Sequence, residues 1–112
     1  MKIYAVWEPI LRTDNEIAAR KATILLDDPR VEHYWVDSQE IGKAFQKPVE
    51  LTTEPAWDVY LVYPRGVKWD VSPPEPNYYM HQLGGRLPPS SRLNPEKLAE
   101  LIEITLAEPQ AN

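Results

Sequence analysis

Few side chains in this sequence are of the kinds that carry out chemistry. His33 and His81 are its two histidines, and Asp37 and Asp58 are carboxylates that could join them. A histidine with a carboxylate can bind a divalent cation or act in acid–base catalysis. No His-x-x-x-His or equivalent spacing supports a metal site. We therefore predict surface or hydrogen-bonded histidines, and neither a metal nor another cofactor.

Asp58 is the carboxylate with the most suggestive position, because it lies between Trp57 and Val59 at the start of an apolar segment. Burial there would raise its pKa and suit it to acid–base catalysis with His33 or His81. The other interpretation is a carboxylate solvated at the end of a strand or bonded to nearby backbone amides. We favour the structural interpretation and keep a small hydrolase or isomerase using Asp58 with a histidine as the alternative function.

Two further segments carry weaker signals. Ser90 and Ser91 follow two prolines and lack the Gly-x-Ser-x-Gly pattern of an activated serine. The segment Gly84-Gly85-Arg86 lacks the spacing of a phosphate-binding loop. We assign both segments to loops and predict no catalytic residue.

A proline-rich loop, residues 72–76, is flanked by aromatic side chains. Rigid aromatic and proline groups lose little entropy on binding and are therefore suited to protein interfaces. Alternatively, the loop is a strap across a sheet with its aromatic side chains turned inward. The predicted interface residues are Trp69, Pro73, Pro74, Pro76, Tyr78, Tyr79 and Met80.

Composition narrows the class of protein. The chain has 112 residues, a formal net charge of −5, 12 prolines and no cysteine. Without cysteine it contains no disulfide, thiolate metal ligand or thiol nucleophile, and its acidic balance argues against nucleic-acid binding. No apolar run approaches the roughly 20 residues of a membrane span, and the first residues do not resemble a signal peptide. We predict a single cytoplasmic domain over residues 1–112 that does not bind membranes.

The hydrophobic pattern predicts the element order β-α-β-α-β-β-α. Strands are expected over 3–7, 31–36, 57–63 and 67–71, the last two as a hairpin. The first, apolar at every position, is expected to be covered on both faces. Helices are expected over 15–26, after Asp37 and after Asn94, with caps from Thr13 or Asp14 for the first, Asp37 for the second and Asn94 for the third. Residues 78–83 are expected to form a short strand or turn. Alternating strands and helices favour an α/β fold with one mixed sheet and helices on both of its faces.

The second half of this order resembles the thioredoxin-like oxidoreductases of the peroxiredoxin and cytochrome-maturation type. The resemblance lies in Val36-Asp37, a helix over 41–45, Pro55, the strand that follows and the turn Pro64-Arg65-Gly66. It implies that Pro55 occupies the position of that family's cis-proline. The family works through a Cys-x-x-Cys pair, which this sequence lacks, so thiol redox chemistry is excluded for this chain.

Two registers of the resemblance remain open. Residues 3–7 are either the family's first strand, with residues 12–15 in place of the redox motif, or a later strand of a fold shortened at its N-terminus. The second register matches Val36-Asp37 and Gly66 better. A missing strand would expose a sheet that a protein partner or a second copy must cover. We therefore expect a non-catalytic thioredoxin-like binding or assembly module that forms a homodimer or binds a protein partner.

Overall fold

A computed structural model describes residues 1–11 and 14–108 of the chain. The elements are β1 Ile3–Trp7, α1 Glu16–Ala22, β2 Val31–Trp35, α2 Glu40–Ala44, β3 Val59–Val62, β4 Tyr78–His81 and α3 Pro95–Ala107. Short 3₁₀ helices occupy Thr23–Leu26, Gly84–Arg86 and Pro89–Ser91. The chain is therefore a mixed α/β protein.

The strands form two separate two-stranded sheets. β1 pairs with β2 in parallel, as expected for strands joined by a helix, and β3 pairs with β4 in antiparallel orientation. The expectation of one mixed sheet with helices on both faces is not met within residues 1–11 and 14–108, where β1 and β3 are not paired.

The predicted hairpin is wrong in its second strand, because Tyr78–His81 and not residues 67–71 pairs with β3. Both faces of β3 are half-buried, so its neighbour needs apolar side chains on both faces. Tyr78-Tyr79-Met80 meets that need, whereas Lys68 and Asp70 would place charges on one face of a strand over 67–71. Residues 65–72 are exposed instead.

Capping is correctly predicted for the last helix and wrongly for the first two. Asn94 caps α3, its side chain accepting a hydrogen bond from the Lys97 N–H, and Pro95 is the first helical residue. Asn15 rather than Asp14 caps α1, and Thr13 lies outside the described residues. The side chain of Asp37 does not cap α2.

The buried hydrophobic cluster is drawn from residues 45–87 of the chain. Its buried members are Val49, Leu51, Ala56, Leu83 and Leu87, and Phe45, Trp57, Val59, Leu61 and Tyr79 pack against them. The core therefore joins the segment that follows α2, the β3–β4 sheet and the loop that follows β4. The β1–β2 sheet contributes none of these residues, although burial of its first strand on both faces was expected.

Candidate functional site

A groove of about 1230 Å³ lies between the β1–β2 sheet, β3 and α3. We call it the apolar groove, because aromatic and aliphatic side chains dominate its lining. Those used below are Tyr4, Val6, Tyr34, Trp69, Ile102 and Leu106. The groove is open to solvent, since all but Ile102 among these are exposed.

The wall formed by β1 and β2 is a bare sheet face. Along both strands, half-buried residues alternate with exposed ones. The exposed positions include Tyr4 at 58% and Tyr34 at 47%, whose rings lie 6.3 Å apart. Parallel strands are normally covered on both faces. Here one face carries exposed aromatic side chains.

His33 lies on the opposite face of the β1–β2 sheet and contacts its neighbours there. Its Nδ1 accepts a hydrogen bond from Trp7 Nε1–H at 3.1 Å, and its Nε2 lies 3.3 Å from the carbonyl oxygen of Leu26. The imidazole also stacks on the Trp7 indole, with centroids 6.0 Å apart. Both ring nitrogens are thus occupied by structural contacts.

His81 is fully buried and equally engaged. Its Nδ1 accepts a hydrogen bond from the Leu83 N–H at 3.1 Å, and its Nε2 lies 2.9 Å from the Pro88 carbonyl oxygen. Because a carbonyl can only accept and a backbone N–H can only donate, these partners assign the Nε2–H tautomer. His81 therefore shapes the loop after β4.

Asp58 does not join either histidine. It is exposed and has a positive φ of 47°, and its carbonyl oxygen accepts a hydrogen bond from the Gln82 N–H at 2.9 Å. Its backbone lies near His81, since Val59 is the register partner of that residue. The buried ring and the exposed carboxylate are nevertheless not hydrogen-bonded. No direct hydrogen bond joins Asp58 to a histidine in the described residues.

The predicted interface residues fall on two sides of the proline-rich loop. Trp69 and Pro74 line the apolar groove, where the Trp69 ring, 46% exposed, meets Phe45 edge-on at 5.2 Å. Pro76, Tyr78, Tyr79 and Met80 line a smaller groove of about 460 Å³, and Pro73 is half-buried. Met80, only 6% exposed, and Tyr79 belong to the packed interior.

The loop itself is fastened to the sheet. The Tyr63 hydroxyl donates a hydrogen bond to the carbonyl oxygen of Pro74 at 2.8 Å, and burial raises the pKa of Tyr63. The Asn77 N–H donates to the carbonyl oxygen of Val62 at 2.9 Å. These bonds hold residues 74–77 against the sheet, as the strap interpretation expects, while Trp69 remains exposed.

The smaller groove has a mixed charge. Lys47 and Lys97 lie on its walls together with Glu50 and Glu75. Cations and anions are matched in number, so the walls do not favour an ion of either sign. This groove offers weaker support for a specific ligand than the apolar groove.

Glu8 links the floor of the apolar groove to α2. Its carboxylate accepts from the Gly42 N–H, at 2.9 Å through one oxygen and 3.1 Å through the other. Burial raises the pKa of Glu8 more strongly than the backbone hydrogen bonds from Gly42 and Ile41 lower it. Glu8 therefore accepts a backbone hydrogen bond in the first turn of α2, a capping role that was predicted for Asp37.

The peptide bond before Pro55 is trans, as are the other described peptide bonds. The cis-proline that the family resemblance implies is therefore not found at this position. Pro55 instead packs beside α2, close to Gly42.

Tyr4, Val6 and Tyr34 were not among the predicted interface residues. β1 is apolar at every position, a pattern typical of a strand covered on both faces. A usable signal was present in β2, where the charged Glu32 shares a face with Tyr34. That charge marks the face as solvent-accessible.

Within the described ranges, no helix is long and apolar enough to cross a bilayer, and no three acidic or histidine side chains are grouped so as to hold a metal ion. Comparison with known proteins identified no matching family model, no similar curated protein and no similar solved structure.

Proposed function

We propose that this chain is a non-catalytic binding or assembly module whose working surface is the apolar groove. The observation that carries the proposal is the bare face of the β1–β2 sheet, with Tyr4, Val6 and Tyr34 exposed on one wall of that groove. Exposed apolar surfaces of this kind mark sites of protein interaction in soluble proteins.

The state of the histidines favours binding over catalysis. A general base needs a nitrogen lone pair that can reach a substrate proton. His33 and His81 each have both nitrogens in contact with protein groups, and His81 is inaccessible. The chain also has no cysteine with which to carry out thiol chemistry.

The family relationship is a second part of the proposal. We infer that the chain is a cysteine-free relative of the thioredoxin-like proteins. A parallel β-α-β unit, a short helix, an antiparallel β-β pair and a final helix follow one another in the expected order, which supports the relationship. Within residues 1–11 and 14–108 β1 and β3 are not paired, so the relationship rests on the order of the elements alone.

The test of the binding function is site-specific photo-cross-linking in the cells that produce the protein. A benzophenone amino acid replaces Tyr34 in the groove or, as the matched control, Val71, which is 93% exposed and outside the groove. We expect protein adducts from position 34 and none above background from position 71. Equal yields at the two positions, or no adduct from position 34, would contradict the proposal.

A further inference from the structure

β1 has a free outer edge. On its inner edge the Ile3 N–H donates to the Arg30 carbonyl oxygen and the Trp7 carbonyl accepts from the Val36 N–H, so residues 3, 5 and 7 face β2. Successive peptide groups along a strand point to opposite edges. The N–H and C=O groups of Tyr4 and Val6 therefore point away from β2, and within the described residues no third strand pairs with them.

This edge lacks the devices that prevent strands from pairing between molecules. Natural edge strands carry charges, prolines or bulges, or are very short. β1 is five residues long and apolar at every position, IYAVW, whereas the other strand of the sheet carries Glu32 and His33. The unprotected edge is thus the one that borders the apolar groove.

The amount of exposed surface indicates the size of the missing partner. The chain exposes 8368 Å², whereas a monomeric protein of its 12.9 kDa mass exposes about 6,300 Å². The excess of about 2,000 Å² is comparable with the area that each subunit of an obligate homodimer buries. A short extended peptide paired with five residues would cover far less, so a folded partner fits better.

We propose that two copies of this chain associate through antiparallel pairing of their β1 strands about a two-fold axis at Ala5. Identical strands related by such an axis run antiparallel. Tyr4 then faces Val6 of the partner subunit, and each pair exchanges two backbone hydrogen bonds. An aromatic side chain opposite a β-branched one is a favourable cross-strand pair.

The dimer rests on the proposed binding function and deepens it, because it determines how the binding surface is presented. Pairing of the two β1 strands makes a continuous four-stranded sheet, β2-β1-β1-β2. The exposed faces that carry Tyr4, Val6 and Tyr34 in each copy become one surface, and the two apolar grooves meet at the axis.

The first test combines sedimentation velocity with amide hydrogen exchange of the whole chain between 0.1 and 100 µM. We expect the mass of two chains at the upper concentrations, with the Tyr4 and Val6 amides exchanging at least about 100-fold more slowly there than after dilution to monomer. Protection of these amides that persists in the monomer would place their partner within the same chain and would overturn the dimer.

The second test uses Val6→Lys, which puts a charge beside the axis in both copies, with Val71→Lys as the matched control. We expect Val6→Lys to weaken the dimer at least about 30-fold and Val71→Lys to leave it unchanged. Near-ultraviolet circular dichroism checks that both variants stay folded. A dimer that tolerates Val6→Lys, or a wild-type chain that is monomeric at 100 µM, would overturn the inference. In either case, adducts from position 34 to a different protein would leave the binding function standing.

Discussion

The Glu8 carboxylate accepts from the Gly42 N–H through both of its oxygens, at 2.9 and 3.1 Å, and so ties the end of β1 to α2. On its other side, Gly42 accepts a hydrogen bond from the Ala56 N–H at 2.9 Å. Gly42 therefore lies between the β1–β2 sheet and the segment that leads into the core. The contacts on both sides of Gly42 determine what substitutions at Gly42 and Glu8 should do.

Gly42→Ala should destabilise the protein although alanine favours helices. A Cβ at this position would lie 2.8 Å from the Ala56 carbonyl oxygen, 2.8 Å from Glu8 Oε2 and 3.0 Å from Pro55 Cβ. Overpacking of this kind costs about 1–3 kcal/mol. Urea unfolding measures the cost, with Gly85→Ala as control, because nothing lies within 4 Å of a Cβ there. Equal stability of the two variants would contradict the tight contact at Gly42.

Two substitutions of Glu8 distinguish how much its hydrogen bond and its charge each contribute to stability. Glu8→Ala removes the acceptor for the N–H of the buried Gly42, so we expect a loss of about 1–3 kcal/mol in the free energy of unfolding. Glu8→Gln keeps an acceptor oxygen and should lose less at pH 7. Urea unfolding of both variants at pH 7 measures the difference. If the glutamine variant were the less stable one, the charge would matter more than the hydrogen bond.

The pH dependence of stability should carry the sign of a raised Glu8 pKa. Burial makes the folded state hold this proton more tightly than the unfolded chain does, where the pKa is near 4.5. The free energy of unfolding should therefore fall as the pH rises through and above 4.5 until Glu8 is ionised in both states. Glu8→Gln should gain stability relative to the wild type over the same range, as measured by urea unfolding between pH 4 and 7. A constant difference would contradict the raised pKa.

Asp28 should affect the pH dependence of the free energy of unfolding with the opposite sign, and at lower pH. Hydrogen bonds from the Arg30 side chain and backbone lower the pKa of Asp28 to about 2. Its contribution is present above its ordinary pKa of 3.8 and is lost as the pH falls towards 2. Because this pair is exposed, the contribution is small and should disappear in high salt. Carbon-13 titration of the Asp28 carboxyl group, with and without Arg30→Ala, measures it; an unchanged titration midpoint would contradict the pairing.

His81→Leu should destabilise the protein more than the substitutions at Gly42 and Glu8. It leaves the Leu83 N–H and the Pro88 carbonyl without their partners in a buried loop, and we expect a loss of about 2–4 kcal/mol. Gln82→Ala, at the exposed neighbouring residue, removes only the solvent-accessible acceptor of the Tyr60 hydroxyl and should cost less than about 1 kcal/mol. Thermal and urea unfolding compare them. A His81→Leu variant within about 1 kcal/mol of the wild type would show that the ring does not organise this loop.

Trp69→Ala should separate binding from stability. The indole is half-exposed and meets Phe45 edge-on, so its removal should lower the free energy of unfolding by only about 1 kcal/mol. The same change should reduce protein adducts formed from position 34, because Trp69 lines the same groove. Undiminished cross-linking would remove Trp69 from the binding surface.

Local signals predicted the elements better than their partners. The bounds of β1, the cap at Asn94 and the parallel pairing of β1 with β2 follow from short-range patterns and from connection length. The partner of β3 does not, because residues 67–71 alternate as a strand should while residues 78–81 pack better on both faces. Long-range packing decided that choice.

Local patterns also failed to predict which side chains of α1 and of the following 3₁₀ helix are buried. Ile17 in α1 and Leu25 in the 3₁₀ helix that follows it have helical spacing that predicts an inward-facing stripe, yet both are exposed, Leu25 at 81%. Within the described residues of α1 only Ala19 is buried. Periodicity identifies an apolar face, but it does not identify what covers that face. The apolar groove was missed for the same reason.

The central claim is that the apolar groove is covered by another protein chain in the working molecule. Hydroxyl-radical footprinting of Tyr34 tests it directly, because this ring lies on the bare wall of the groove and is 47% exposed in the single chain. We predict that Tyr34 is oxidised at least about 5-fold more slowly inside the producing cells than in the dilute purified monomer, after normalisation to a reporter peptide. Equal oxidation rates in the two settings would contradict the claim.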